Sequence, residues 1–67
     1  MVRPEDIVSL TDFTRNTKAH LKRLRQTGRA ELLTVNGKAE VVVQSAFAYE
    51  RLITALEKLK RDLQARV

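Results

Sequence analysis

A chain of 67 residues carrying +5, with no cysteine, one histidine and three aromatic side chains, has room for one small domain. The lack of cysteine excludes disulfides and thiolate metal sites, and no apolar run approaches the roughly 20 residues of a membrane span. Domains of this size bury only about 60% of their unfolded surface, so association with another chain is the expected source of further core. No signal-peptide apolar segment follows Met1, which predicts a soluble, cytoplasmic protein.

The charge is uneven. Residues 1–29 hold seven Lys/Arg against three Asp/Glu, and residues 30–67 hold six against five. A basic half on a small domain is the footprint expected of a nucleic-acid binder.

In chain order, Arg3-Pro4-Glu5-Asp6 is a polar lead-in and Ile7-Val8 a short β-prone pair. Ser9 has the spacing of an N-cap, with Asp12 at the third helical position in place of the usual Glu of a capping box. Val8 and Phe13 occupy the two staple positions. The helix is predicted to run unbroken to Thr27 and to stop at Gly28. Phe13, Thr17, Leu21 and Leu24 recur at helical spacing as a core stripe. Arg15, Lys18, Lys22 and Arg25 fall within roughly a quarter of the circumference. No acidic residue lies between Asp12 and Glu31, so the usual i,i+4 neutralising pairs cannot form on that face.

Ala30–Gln44 reads AELLTVNGKAEVVVQ, with Asn36-Gly37 as a hairpin turn in which both residues take positive φ. A two-residue turn pairs Val35 with Lys38, Leu33 with Glu40 and Leu32 with Val41. The predicted core face is then Ala30, Leu32, Thr34, Ala39, Val41 and Val43. The other face, with Glu31, Leu33, Val35, Lys38, Glu40 and Val42, is apolar enough to be covered in part by a second copy. Ser45 or a neighbour opens a second helix, whose Tyr49, Leu52, Leu56, Leu59 and Leu63 alternate steps of three and four. Ile53 widens this stripe, and Tyr49 to Leu56 are expected to pack on the sheet. Beyond Leu56 the amphipathic end is suited to a groove on another protein.

Catalytic chemistry finds no footing here. His20 has no Cys and no carboxylate pair near it in sequence, Ser9 is explained as a cap, and Gly28 and Gly37 as a stop and a turn. The expectation is a non-enzyme with no catalytic residue, no metal site and no cofactor.

The ordered set Val8-Ser9-Leu10-Thr11-Asp12-Phe13, Asn16, Leu32-Leu33-Thr34-Val35-Asn36-Gly37-Lys38 and Val41-Val42-Val43, then a helix near Ala46 with Tyr49 and Leu52, resembles Phd/YefM-type antitoxins of bacterial toxin–antitoxin pairs. The resemblance covers roughly residues 7 to 53. It implies an α+β fold (short strand, helix, hairpin, C-terminal helix) dimerised through the sheet. It also implies an N-terminal domain, residues 1–53, that binds operator DNA and represses its own operon, and a segment, residues 54–67, that neutralises a cognate toxin, RelE/ParE-like rather than Doc-like. The family's DNA contacts map onto Thr11 to Asn16 and Asn36 to Lys38. Where the family often has Arg two positions before the matching Asn, this chain has Thr14; Arg15 beside it points about 100° further round the helix.

The expected DNA-binding set is therefore Thr11, Thr14, Arg15, Asn16, Lys18, Lys22, Asn36 and Lys38, with Arg15 and Asn16 at base edges and the lysines on phosphates. The expected toxin-binding set is Leu56, Leu59, Lys60 and Leu63. The alternative is a protein-interaction module that neutralises or scaffolds a partner without binding DNA. A ribbon-helix-helix repressor fits less well, because Asn36-Gly37 places a hairpin between the two helices.

Overall fold

The computed structural model describes residues 3–65, so the last two residues of the 54–67 segment lie outside it. A single 3-10 turn at Pro4–Asp6 leads into β1 (Ile7–Ser9), followed by helices α1 (Leu10–Arg15) and α2 (Thr17–Thr27), strands β2 (Glu31–Val35) and β3 (Lys38–Val43), and helix α3 (Ala46–Ala65). The fold is α+β, with one three-stranded sheet in the order β1-β2-β3. β1 runs parallel to β2, with Ile7 beside Leu32 and Ser9 beside Thr34. β3 returns antiparallel.

Local chemistry explains the boundaries. The Ser9 hydroxyl accepts from the Asp12 amide at 3.0 Å and caps α1. Gly28, at φ 68°, ends α2 in the left-handed conformation, its amide donating to the Leu24 carbonyl. Asn36 and Gly37 both take positive φ, 53° and 77°, as the two-residue hairpin requires. The Ser45 hydroxyl accepts from the Ala48 amide at the start of α3.

Three expectations need correcting. The first helix is not continuous: it breaks at Asn16, at φ −123° and ψ 40°. The sequence Thr14-Arg15-Asn16-Thr17 supplies the cause, because three of its four side chains bond backward to the preceding turn. Thr14 Oγ1 donates to the Thr11 carbonyl, Asn16 Nδ2 to the Asp12 carbonyl and carboxylate, and Thr17 Oγ1 to the Phe13 and Thr14 carbonyls. Such bonds compete with the helix ladder and bend it. Of the proposed stripe, only Leu24 is sealed; Phe13 is half-buried, while Leu21 and Thr17 are exposed.

The second correction concerns the hairpin. Thr34 pairs with Ala39 but Leu33 with Val41 and Leu32 with Val42, so Glu40 is an extra residue on β3. This β-bulge slips the register by one. Cross-strand partners share a face, so Val41 and Val43 join Leu33 and Glu31 instead of Leu32. The buried face of β2 is Glu31 and Leu33, at 1% and 3% exposure. α1 packs against β1 and β2 on the helical side of the sheet.

The third concerns α3. Tyr49 to Leu56 do not lie on the sheet; the helix leaves its end, and only Ala48 and Ile53 along it are half-buried. Twenty residues of helix extend about 30 Å, which accounts for much of the molecule's 49 Å long axis. Among the described residues, the apolar core amounts to Leu24 and Leu33.

With so little core, each buried side chain carries a large share of the stability. Leu24→Ala should lower unfolding free energy by about 2–5 kcal/mol, while Leu21→Ala should cost clearly less; urea titration of both variants checks this.

Candidate nucleic-acid interface

The topology brings two of the expected contact regions to one end of the sheet. Because β1 and β2 are parallel and Ser9 sits beside Thr34, the start of α1 and the Asn36-Gly37 turn emerge on the same edge. Thr11, Asn36 and Lys38 therefore share that end, all exposed. Thr14, Arg15 and Asn16 follow at the helix break, where a shallow recess is lined by Thr14 to Ala19. Lys18, Lys22 and Arg25 continue along α2 toward the opposite end, where the chain enters β2; all are exposed.

From α1 to the hairpin, the cations divide into two populations. Among the described residues, Arg15, Lys18, Lys22, Arg25 and Lys38 have no carboxylate within 4 Å. The cations on the inner side are all paired. Arg23 donates to Glu31 Oε2 at 2.8 Å and to Asp6 Oδ1 at 2.9 Å. Arg29 donates to both oxygens of Asp6 at 3.2 Å. His20 Nε2 lies 2.9 Å from Asp12 Oδ2. Its Nδ1 lies 3.0 Å from Glu31 Oε1 and 3.1 Å from Oε2, with the aligned bond to Oε2. Glu31 Oε1 is left without a hydrogen bond of its own.

This inner cluster was not legible in the sequence. His20, expected to stand apart from carboxylates, lies between two of them. Asp12, expected to return a bond to the helix start, turns instead to His20 and Asn16. The ion pairs that build the cluster join residues 8 to 23 positions apart, so no local spacing announces them. The available signal was Glu31, an acid alternating with Leu33 on one side of a strand.

The environment moves two acid–base equilibria. Hydrogen bonds from Arg29 hold the Asp6 carboxyl below its usual 3.8, against the opposing effect of burial. Burial pulls the His20 imidazole down, yet the bonds to Glu31 and Asp12 outweigh it and leave the group above 6.5. The Asp6 contribution to stability is therefore present above 3.8 and lost as pH falls through the folded-state value. The His20 contribution is complete below 6.5 and lost as pH rises through its folded-state value.

The toxin-side candidates sit on α3. Leu56, Leu59 and Leu63 are 52–58% exposed on one stripe, and Lys60 is exposed nearby. Phe47, 70% exposed with the Arg51 guanidinium 5.8 Å from its ring centre, lies on the opposite side of the helix.

No family model matches the chain, and no curated protein or solved structure is significantly similar to it. No helix of the described residues is long and apolar enough to cross a membrane.

Denaturant midpoints measured from pH 2.5 to 9 should fall at both ends. Asp6→Asn should flatten the acid limb while leaving the alkaline limb in place.

Proposed function

We propose that this protein is a dimeric, operator-binding antitoxin of the Phd/YefM type. The observation that carries the DNA-binding part is the division of its cations: every inward guanidinium is matched to a carboxylate, and the outward stripe is not. Like charges on one face repel, and a polyanion offsets that cost. The N-terminal resemblance over residues 7 to 53 supports the same reading. In it Arg15 and Asn16 address guanine and adenine edges. Lys18, Lys22 and Lys38 bind phosphates, Thr11 and Asn36 frame the contact from the shared end of the sheet, and Thr14 does so from the helix break.

Dimerisation through the sheet is supported by the open edge of β3, where Val41 and Val42 are 48% and 61% exposed. Unpaired strand edges are templates for a second chain. The toxin-neutralising part rests on α3, whose Leu56, Leu59 and Leu63 are uncovered; a RelE/ParE-like toxin is the proposed partner. The same uncovered helix favours the second reading, a partner-binding module that never touches DNA.

A gel shift with the duplex upstream of the gene, at varied salt, separates the two. Lys22→Ala should weaken binding to operator and random duplex alike and lower the salt slope by roughly one unit per protomer, about two for the dimer. Arg15→Ala should cost about 1–3 kcal/mol on operator and remove the preference for it; retention of that preference would show that another side chain reads the bases. Deleting the residues after Lys58 should spare DNA binding and release a co-expressed toxin, and continued growth rescue would place the toxin contact elsewhere.

A further inference from the structure

The inner cluster has a charge count that depends on one proton. At neutral pH Asp6, Asp12 and Glu31 supply three negative charges, and Arg23 and Arg29 supply two positive. The cluster balances when His20 is an imidazolium. The geometry makes the same demand. Each ring nitrogen faces a carboxylate oxygen about 3 Å away, Nε2 toward Asp12 of α1 and Nδ1 toward Glu31 of β2. A neutral imidazole has one N–H and one lone pair, so it would set a lone pair against a carboxylate on one side. Arg23, on the same helix, also donates to Glu31 and ties it to Asp6 in the 3-10 turn, which Arg29 holds from the other side. Phe13 of α1 stacks on the ring, with centroids 5.3 Å apart.

We propose that His20, doubly protonated, pins α1 to α2 and β2 across the break at Asn16, and that loss of one proton frees α1. The direction of release follows from burial. The Glu31 side chain is 1% exposed and has no water to replace a lost donor, whereas that of Asp12 is 54% exposed. The remaining proton therefore stays on Nδ1, facing Glu31, and the Asp12 contact is the one that opens. Asp12 is also the acceptor for the Asn16 side chain, so its release loosens the bend that presents Arg15, Asn16 and Lys18. Given the operator-binding role proposed above, duplex affinity falls as pH rises through the His20 transition. His20 is a positioning residue in this scheme and touches no DNA.

Because the chain holds one histidine, long-range 15N–1H correlation spectra of the full-length protein report this group without ambiguity. The expected result is protonation of both ring nitrogens at pH 6, a midpoint above 6.5, and the Nδ1–H tautomer at the alkaline end. The Asn16 and Thr17 amide shifts should follow the same midpoint. Asp12→Asn should lower that midpoint and uncouple the two amides from it. A midpoint at or below 6.5, an Nε2–H tautomer, or amides that ignore the titration would each overturn the pin. Affinity for the upstream duplex should fall roughly five-fold or more across the transition, with the salt slope unchanged, and His20→Gln should abolish this dependence. A slope falling by about one unit per protomer would mean that His20 is a phosphate contact, and affinity flat across the transition would overturn the coupling. Absence of duplex binding at every pH and salt would remove the operator reading and the coupling with it, while the ring-nitrogen spectra still decide the pin.

Discussion

Burying a carboxylate without compensation costs several kcal/mol, and Glu31 is sealed in a fold whose apolar interior, among the described residues, is two leucines. The positions of its neighbours follow from that constraint. Arg23 must reach inward from α2, His20 must lie one turn before it on the same side of the helix, and the 3-10 turn must bring Asp6 back to match the second end of the Arg23 guanidinium. Arg29, just before β2, completes the set. The polar cluster thus joins the lead-in turn, both short helices and the central strand, a task that hydrophobic contacts perform in larger domains. Removing one member leaves a buried charge unmatched, so such a cluster is unforgiving of substitution.

The same economy shapes the outer surface. With Asp6, Asp12 and Glu31 engaged by Arg23, Arg29 and His20, the basic side chains on the other side of α1–α2 have no carboxylate within 4 Å among the described residues. The bend at Asn16 divides them, placing Arg15 on one segment and Lys18, Lys22 and Arg25 on the other. Large aliphatic side chains are likewise left over. Val41 and Val42 line an open strand edge, and α3 carries a leucine stripe on one side and Phe47 on the other. These apolar side chains lie on separate surfaces of the molecule, the strand edge and two sides of α3. Cationic helices, an open strand edge and an uncovered helix suit the proposed role, in which a second copy, a duplex and a toxin each take one surface.

Local features were largely legible. Ser9 as a cap, Gly28 as a stop, Asn36-Gly37 as the turn and Ser45 at the start of α3 each depend on one residue's own backbone or side-chain chemistry, which sequence displays directly. The α2 part of the cationic stripe, Lys18, Lys22 and Arg25, was legible because it depends only on helical spacing, whereas the break at Asn16 leaves Arg15 on a separate segment. The break at Asn16 could have been read from Thr14-Arg15-Asn16-Thr17, but hydrophobic periodicity over Phe13 to Leu24 argued the other way. The bulge at Glu40 was not legible, since a two-residue turn fixes pairing next to itself and says nothing about a slip three residues further on. That single slip moved Val41 and Val43 to the other face of the sheet.

What the amino-acid order determined alone was the succession of strand, helical segment, hairpin and helix, the caps and the turn that bound them, and the excess of cations in the first half of the chain; the break at Asn16 inside the helical segment was not among them. The tertiary structure decided which cations are paired in the interior and which, among the described residues, stay unpaired at the surface, because that choice depends on Asp6, Glu31 and Arg23 meeting across long stretches of chain. It also decided that the start of α1 and the hairpin turn share one edge, through the parallel register of three residues in β1. Capping and turn formation are short-range and readable in a window of a few residues. Charge pairing and strand register are long-range, and only the folded chain brings their partners together.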